Sequence, residues 1–440
     1  MSATNSDKLR DVIRHNLCNR CGSCVGLSGG RIAFTNRTGA YLPTILEEPD
    51  AETAELIWKA CAGKDFNFKH FNHLIFPETN HFHVYTGSYQ SISIGYAVDA
   101  GIRSLGASGG VLSAILIWLL QKNMIDGAVV TGMSKTEPWL AQSFIATTAE
   151  QILEAAQSKY IITSVNEILP EIGAFKGRLA YVGLPGQVQS IRKLQELNHP
   201  WVKPISYIFG PFYGNTLHFS SVKSFLKSYG YKDFTRISRL YFRYGEWPGN
   251  MRVEFTDGNV IQLPKFHANY LIPFHILKNS LLCTDLSNEF TDISGGDAWA
   301  PVYEERGKGF SMVIGRSNAG MHILRQMEAE GALSLTEITE NEAITMHSHG
   351  YDLKKRGTFI RMSYRSLLGL PVPDYGYKLS GFSFKRYAME VVINFMFILL
   401  GTRLMRFLVE LLPPSFIGRI FERSRTLWKK STYSIKRNDL

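Results

Sequence analysis

Apolar residues along the middle of the chain recur in two alternating patterns. Helical spacing covers residues 109–122, 149–158 and 187–197, whereas short apolar runs occupy residues 127–130, 178–182 and 205–209. Short runs bounded by turn residues are typical of buried strands, and the spaced segments are typical of helices. Their alternation predicts an α/β fold in which a mixed sheet is flanked by helices on both faces.

Other regions break this pattern. Residues 239–263 alternate around turns at Gly249 and Gly258 and predict antiparallel strands, and residues 312–375 predict a helix followed by loops. Residues 1–85 are rich in turn formers, and an apolar, basic tail follows Pro373. We therefore expect a small N-terminal module at 1–85, an α/β domain at 86–375 and a helical tail at 376–440.

The composition is that of a globular protein. Of the 440 residues, 45% are hydrophobic and 20% are charged. The N-terminus is too polar for a signal peptide, which predicts a cytoplasmic protein. Five cysteines are too few for a disulfide framework, and four of them lie within the first 61 positions, which indicates thiolate ligands in a reducing compartment.

The positive charge is concentrated in the tail. The chain carries 48 Lys and Arg against 38 Asp and Glu, a formal net charge of +10. From Lys385 onward there are eleven basic and four acidic residues, so the tail holds +7 of that charge. The body is close to neutral, and we expect no nucleic-acid partner.

The cysteines themselves predict a cofactor. Cys18, Cys21 and Cys24 are each separated by two residues, which lets one tight loop aim three thiolates at a common centre, and Cys61 supplies a fourth. This arrangement predicts one 4Fe-4S cluster in a ferredoxin-like module. A structural zinc site and unrelated free thiols are the alternatives, although zinc usually takes two separated pairs.

A second candidate site lies at the start of the long apolar helix. The turn formed by Ser108, Gly109 and Gly110 exposes free N–H groups at a helix N-terminus, which suits a phosphate. A plain helix N-cap is the alternative.

Further blocks follow this turn, and together they resemble a known family. The blocks lie at residues 99–116, 157–160, 181–193, 243–249 and 292–299. In combination they resemble the beta subunit of the hydrogenases and dehydrogenases that use the deazaflavin coenzyme F420, over roughly residues 15–325. The resemblance implies an FAD-binding iron–sulfur protein that moves electrons between a cluster and an organic substrate.

The resemblance also implies where the flavin lies. Lys159 is expected to stabilise negative charge on the flavin, with a surface lysine as the alternative. Asp297 is expected on the substrate side of the pocket, or else as a turn aspartate. The expected flavin-binding residues are Ser108, Gly109, Gly110, Ser158, Lys159, Tyr160, Gly183, Pro185 and Gln187.

The chain departs from the family pattern at a second cluster. Family members usually hold a body cluster with four cysteines, and the matching positions here are Gly186, Gly210, Ser280 and Cys283. Three of the four ligands are missing. We therefore expect that only the N-terminal cluster is present and that it approaches the flavin directly.

The tail is predicted to form amphipathic helices that attach to another surface. Residues 391–400 are apolar, but only about 16 residues separate Arg386 from Arg403, fewer than the roughly 20 that span a bilayer. A second apolar face follows at residues 404–412. Arginine-flanked apolar faces suit helices that lie on an anionic membrane. Packing on the body or in a homo-oligomer interface is the alternative.

These features predict an iron–sulfur flavoprotein oxidoreductase in the cytoplasm, peripheral on the inner face of the cell membrane. A ferredoxin-like donor is expected to pass electrons through the 4Fe-4S cluster and FAD to a small-molecule substrate. A deazaflavin-dependent oxidoreductase and a non-catalytic interaction protein on a degenerate flavoprotein scaffold are the alternatives. The sequence assigns no catalytic residue and does not identify the substrate.

Overall fold

The computed structural model describes residues 4–79, 81–303 and 307–437. A cysteine-bearing layer of short elements comes first, a large sheet body follows, and a helical tail ends the chain. The first layer contains α1 Asn5–Arg14, α2 Ser23–Leu27, β1 Ile32–Phe34, β2 Pro43–Ile45, α3 Ala51–Ala60 and α4 Phe68–Ile75.

The body contains a large sheet, its covering helices and a small antiparallel unit. Its strands are β3 His81–His83, β4 Gly87–Tyr89, β5 Ser91–Ala97, β6 Gly127–Met133, β7 Ala141–Ala146, β8 Leu179–Val182, β9 Ile205–Pro211, β10 Ile237–Tyr244, β11 Asn250–Phe255, β12 Val260–Pro264, β13 Ile293–Asp297, β14 Ser311–Gly315 and β15 Leu333–Glu337. Its helices are α5 Ala100–Leu105, α6 Val111–Gln121, α7 Ala149–Glu154, α8 Leu169–Ala174, α9 Pro185–Glu196, α10 Ser220–Ser228, α11 Lys265–Ala268, α12 Leu271–His275, α13 Asn318–Ala329, α14 Glu340–Met346, α15 Ser348–Tyr351 and α16 Gly357–Leu367. The tail comprises α17 Phe384–Leu400, α18 Arg403–Glu410, α19 Pro414–Ser431 and α20 Tyr433–Arg437.

An eight-stranded mixed sheet forms the centre of the body, in the order β15-β5-β14-β13-β9-β8-β6-β7. The neighbours β6, β8, β9 and β13 run parallel, and the outer strands pair antiparallel with them and with one another. The carboxyl ends of the four parallel strands therefore meet at one edge. In open α/β sheets this is the edge at which ligands bind.

Alternate residues of the parallel strands enter two cores, one on each face of the sheet. Val129 and Ile208 pack with α3 and α9, whereas Val130 and Phe209 pack with α6 and α13. Strands buried on both faces are apolar at nearly every position, which is why they appear as continuous runs in the sequence. The prediction of a mixed sheet flanked by helices is confirmed.

The structure of the region after α13 differs from the prediction. Residues 312–375 contain strands β14 and β15 and helices α14 to α16, so the prediction of loops after the helix is wrong. The burial of β15 comes from pairing with β5, more than 230 positions earlier in the chain, in a register that sets Leu333 opposite Ala97. A five-residue strand stabilised by so distant a partner carries little local signal.

The N-terminal layer has no core of its own. Its buried Leu9 and Ile57 belong to the same cluster as Val188 and Ile191 of α9, and its other large buried apolar residues also pack in clusters that include body residues. The cysteine-bearing segment therefore packs directly against the body, and the expected boundary near residue 85 does not separate two cores.

Buried ion pairs attach the first tail helix to the body. Arg386 and Glu390 are fully buried, and Arg361 is 3% exposed. Arg386 donates hydrogen bonds of 2.7 Å to Asp352 and of 2.7 Å to Glu390, which also accepts from Arg361. One face of α17 is thus held by charges that have no access to water.

The later tail helices also contact the body. Val409 enters the core of the small antiparallel unit formed by β10, β11 and β12, and Glu410 accepts a hydrogen bond of 2.6 Å from Ser224. Glu422 of α19 lies 3.1 Å from His267 of α11. Packing on the body, one of the two expectations for the tail, is therefore present on the inner face of these helices.

No single helix within the described ranges is both long and apolar enough to cross a bilayer. The pair α17 and α18 meets that requirement of length and composition only when taken together, and it bends by 70° at the break between the two helices.

We predict that Glu390→Gln lowers the free energy of unfolding by about 3 to 5 kcal/mol, because it leaves two buried guanidinium groups with one carboxylate. Urea unfolding followed by circular dichroism measures the change. Glu55→Gln is the matched control, since Glu55 pairs with Lys59 on the surface and its loss should cost less than about 1 kcal/mol. Equal, small losses in the two variants would show that the buried network does not hold α17 in place.

Candidate functional site

The four N-terminal cysteines meet around one cavity. Cys18 and Cys21 lie in the loop after α1, Cys24 lies in α2, and Cys61 follows the last residue of α3. All four are half-buried, and all four border a cavity with about 390 Å³ of atom-free space. The structure therefore brings together the thiols that the sequence spacing selected.

Gly22 fixes the turn that places two of these thiols. It adopts a left-handed conformation with φ of 96° and precedes α2. A Cβ atom at this position would lie 2.6 Å from the backbone nitrogen of Glu167, so any larger residue collides with the body. The backbone N–H of Asn166 donates to the carbonyl of Cys21 at 2.8 Å, which ties the same turn to the body.

Cations and donors surround the cavity. The backbone N–H of Arg20 donates to Cys18 Sγ at 3.4 Å, and the buried Arg20 side chain donates to the Cys18 carbonyl at 3.2 Å. Lys193 of α9 donates to the Cys61 carbonyl at 3.0 Å. These groups favour negative charge on the sulfurs, as a thiolate-ligated centre requires.

Burial acts in the opposite direction on the free thiols. It raises the pKa of Cys18 to about 12, and it also raises the pKa of Cys24 and of Cys61. Cys18, Cys24 and Cys61 are therefore protonated at neutral pH unless a metal centre replaces their protons.

Among the described residues, no three His, Cys, Asp or Glu side chains converge on one ion position. A zinc ion needs its sulfur ligands about 2.3 Å from a single centre. A 4Fe-4S cluster is larger, and its thiolates stand farther apart around a cavity.

A second cavity adjoins the first, and Asn19 borders both. It has about 490 Å³ of atom-free space and is lined mainly by uncharged polar and apolar side chains, together with Gly186 and Cys283. These are two of the four positions at which the family resemblance implies a body cluster.

Protein atoms fill much of the space that body-cluster ligands would need. A Cβ atom at residue 186 would lie 2.5 Å from Asn19 Nδ2, and one at residue 210 would collide with the side chain of Asn288. The Ser280 hydroxyl is engaged with the hydroxyl of Tyr213 at 2.6 Å. Of the four positions only Cys283 carries a thiol.

The turn at residues 108–110 lies at the carboxyl edge of the sheet. The N–H of Gly109 donates to Ser311 Oγ at 2.9 Å, and the Ser108 hydroxyl contacts the same oxygen at 2.7 Å. Ser311 pairs with Asp297, the last residue of β13. Gly110 is the N-cap of α6 and no side chain caps that helix, so the turn forms a helix N-cap, and its contact with a flavin phosphate stays a prediction.

Lys159 has a different environment from the expected one. Its Nζ donates to the carbonyls of Ala155, Ala156 and Gln157 at 2.5, 2.7 and 3.1 Å, which uses all three of its donors within its own loop. Burial lowers the pKa of Lys159 to about 7. It is not a surface lysine, and direct contact with a flavin stays a prediction.

Tyr160 belongs to a charged cluster that reaches the turn. Arg243 of β10 donates to the Tyr160 hydroxyl at 3.0 Å and to the carbonyl of Ala107 at 2.5 Å, and it pairs with Asp297 at 3.2 Å. Trp247 also donates to Asp297, at 3.1 Å. Asp297 is therefore not a turn aspartate, and the small antiparallel unit closes over this edge of the sheet.

Positive charge exceeds negative charge within this cluster. Although burial opposes ionisation, Arg243 holds the pKa of Asp297 below its usual value. Lys265 lies 5.3 Å from the ring centre of Tyr160 and 6.0 Å from that of Trp299. Sequence reasoning missed Lys265, since no motif includes it and only the packing of α11 brings it here.

The remaining expected flavin residues lie after β8. Pro185 begins α9, and Gln187 accepts from the N–H of Leu184 at 2.7 Å while donating to the carbonyl of Thr163 at 2.7 Å. Gly183 accepts a hydrogen bond of 2.7 Å from Asn288. The turn at 108–110 and the start of α9 thus share the carboxyl edge, and residues 158–163 connect them.

The fold and these two sites define a mixed α/β protein in which a four-thiol module lies against the ligand-binding edge of an open sheet. The chain belongs to the coenzyme F420 hydrogenase/dehydrogenase beta subunit family. Residues 92–170 match the N-terminal model of that subunit, and residues 176–341 match the model of its C terminus. The segment after residue 341, including the tail, lies outside both matches.

Individual relatives point to redox chemistry. The chain is 24% identical over 369 residues to the coenzyme F420-dependent sulfite reductase of Methanocaldococcus jannaschii, covering 79% of this chain and 52% of that protein. It therefore spans about half the length of that relative. It is 25% identical over 298 residues to the coenzyme F420 hydrogenase subunit beta of Methanothermobacter thermautotrophicus, covering 65% of this chain and 99% of the relative.

A solved structure supports the fold. The chain is similar to a chain of the F420-reducing hydrogenase complex from Methanosarcina barkeri, with a TM-score of 0.53 and 20% identity, over 67% of this chain and 99% of that one. The family is one of oxidoreductase subunits, so a redox role is supported for this chain.

We predict that Gly109→Ala lowers the free energy of unfolding by about 1 to 3 kcal/mol, because its Cβ would lie 2.5 Å from the carbonyl oxygen of Gly95 in β5. Thermal unfolding of the cofactor-free protein measures the loss. The control is Gly214→Ala, since a Cβ there meets no atom within 4 Å. If both variants unfold like the parent, the turn at 108–110 is not packed against the sheet as described.

Proposed function

We propose that this chain is an iron–sulfur flavoprotein oxidoreductase with one 4Fe-4S cluster and one FAD. The observation that carries the proposal is the single cavity bordered by Cys18, Cys21, Cys24 and Cys61. Four thiols with basic neighbours have few uses other than holding a metal centre. The family supports a redox role, and the two cofactors are our own assignment.

The cluster ligands would be the four thiolates, and the cofactor would supply one-electron transfer. Arg20 and Lys193 would offset the negative charge of the ligand set. The backbone N–H of Arg20 would stabilise the thiolate of Cys18, since hydrogen bonds to ligating sulfurs tune the potential of such centres.

The flavin would lie along the carboxyl edge of the sheet. The uncapped N-terminus of α6 offers N–H groups to its phosphates. Arg243 and Lys265 would place positive charge beside the ring when it is reduced, which is the role first expected of Lys159. Tyr160 and Trp299 would bound the same region with aromatic surface.

Electrons would pass between the two centres without a relay. The cysteine loop is hydrogen-bonded to Asn166, whose side chain donates to the carbonyl of Gln187 at the start of α9 at 3.1 Å. The cluster cavity therefore lies beside the proposed flavin edge. With three of the four body-cluster ligands missing, direct exchange is the remaining route.

A ferredoxin-like protein is the donor that we propose, with a small organic molecule as acceptor and a reducing cytoplasm as the location. The names of the relatives favour a second candidate, in which coenzyme F420 is the electron donor or acceptor. Anaerobic mixing with reduced ferredoxin or with reduced coenzyme F420 distinguishes the two candidates. Only the physiological donor should bleach the flavin absorption at least as fast as the enzyme turns over.

We predict that the anaerobically purified chain contains about four irons, four sulfides and one flavin, and that Cys24→Ser loses most of its iron. Cys283→Ser is the matched control, because this cysteine lies in the second cavity and should leave iron and sulfide unchanged. Iron, sulfide and flavin analysis with absorption spectra provides the measurement. Bound zinc, about eight irons, or equal iron loss in both variants would contradict the single-cluster assignment.

A further inference from the structure

The first tail helix buries two charged residues, Arg386 and Glu390, and exposes most of its large apolar residues. The buried residues of α17 are Arg386, Met389, Glu390 and Ile393, which follow helical spacing along one face. The opposite face exposes Val391, Val392, Phe395, Met396, Ile398 and Leu399. A helix in water normally shows the reverse arrangement, whereas one facing lipid keeps its ionisable side chains toward protein.

The next two helices extend this exposed apolar face. α18 exposes Leu404, Phe407 and Leu408, while its Arg406 turns inward and donates to the carbonyl of Phe274 at 2.7 Å. Leu411 follows at 66% exposed, and α19 exposes Phe416 and Ile420. Soluble surfaces rarely carry so many large apolar side chains together, and such patches mark interaction sites.

The charges of the tail are sorted between its two sides. Its described acidic residues, Glu390, Glu410 and Glu422, all engage partners toward the body. The exposed cations include Lys385, Arg403, Arg419, Arg423 and Lys430. The outward side of the tail is therefore mainly apolar and basic, although the Glu422 side chain is 43% exposed.

We propose that this outward side of α17, α18 and α19 docks on an anionic lipid membrane. The apolar side chains enter the boundary between headgroups and acyl chains, and the surrounding arginines and lysines contact lipid phosphates. α17 has 17 residues, a length of about 25 Å, which is less than the roughly 30 Å needed to cross the hydrocarbon core. The attachment is therefore one-sided, and the redox body remains in water.

Lipid explains the surface better than a protein partner does. Non-obligate protein interfaces are no more apolar than the rest of a protein surface. A face of large aliphatic and aromatic residues bordered mainly by cations matches the two components of an anionic bilayer. The buried ion pairs of Arg386 and Glu390 hold the helix so that this face stays outward. The proposal does not depend on which cofactors the body binds.

The test uses flotation of the full-length chain with vesicles of phosphatidylcholine, with or without phosphatidylglycerol. The outer-face variant combines Phe395→Ser, Ile398→Ser and Leu404→Ser, three side chains 61%, 62% and 62% exposed. The matched control combines Leu46→Ser, Leu74→Ser and Phe82→Ser, which are 59%, 50% and 61% exposed on the N-terminal part of the chain. Thermal unfolding of both variants confirms that each is folded.

The parent and the control are expected to float with vesicles that contain phosphatidylglycerol. The partition coefficient of the outer-face variant on these vesicles is expected to fall at least tenfold. A third variant, Arg403→Gln with Arg419→Gln and Arg423→Gln, should lose about fivefold per arginine at low salt and less at high salt. A parent that stays unbound overturns the proposal, as does equal loss in the control. So does a parent whose outer face instead closes a dimer, detected by light scattering as a loss of self-association in the outer-face variant.

Discussion

The packing of the cysteine loop against the body is the contact on which the rest of the structure depends. Ser190 of α9 stands at its centre, because its hydroxyl contacts Ser23 Oγ at 2.6 Å and donates to the carbonyl of Ala60 at 2.7 Å. One buried side chain thus connects the helix that carries Cys24 to the end of the helix that precedes Cys61. Since the N-terminal layer shares its core with α9, the thiol cavity exists only while the body is folded.

This contact also explains how the two proposed centres come together. The segment at 164–168 receives the cysteine loop on one side, and Asn166 accepts a hydrogen bond of 2.5 Å from the hydroxyl of Tyr181 in β8 on the other. The carboxyl end of β8 leads directly into the start of α9, where the expected flavin residues begin. Adjacent, buried polar groups therefore connect the thiols to the edge of the sheet. When all their hydrogen bonds are made, such groups favour a single conformation of the region.

Local pattern was enough to predict the parallel strands, the helices between them and the four clustered thiols, because each depends on residues close together in sequence. It was insufficient where burial depends on distant partners. Strand β15 is defined by pairing with β5, and the charges of Arg386 and Glu390 are buried by Asp352 and Arg361. The position of Asn19 was equally inaccessible, since only the fold places that side chain beside Gly186.

In the proposed arrangement, one iron–sulfur cluster occupies the four-thiol cavity and none occupies the cavity beside Cys283. Anomalous diffraction at the iron edge from anaerobically grown crystals distinguishes the two cavities. We expect one iron peak, bordered by Cys18, Cys21, Cys24 and Cys61, and no peak in the second cavity. An iron peak beside Cys283, or a zinc signal among the four thiols, would contradict this arrangement.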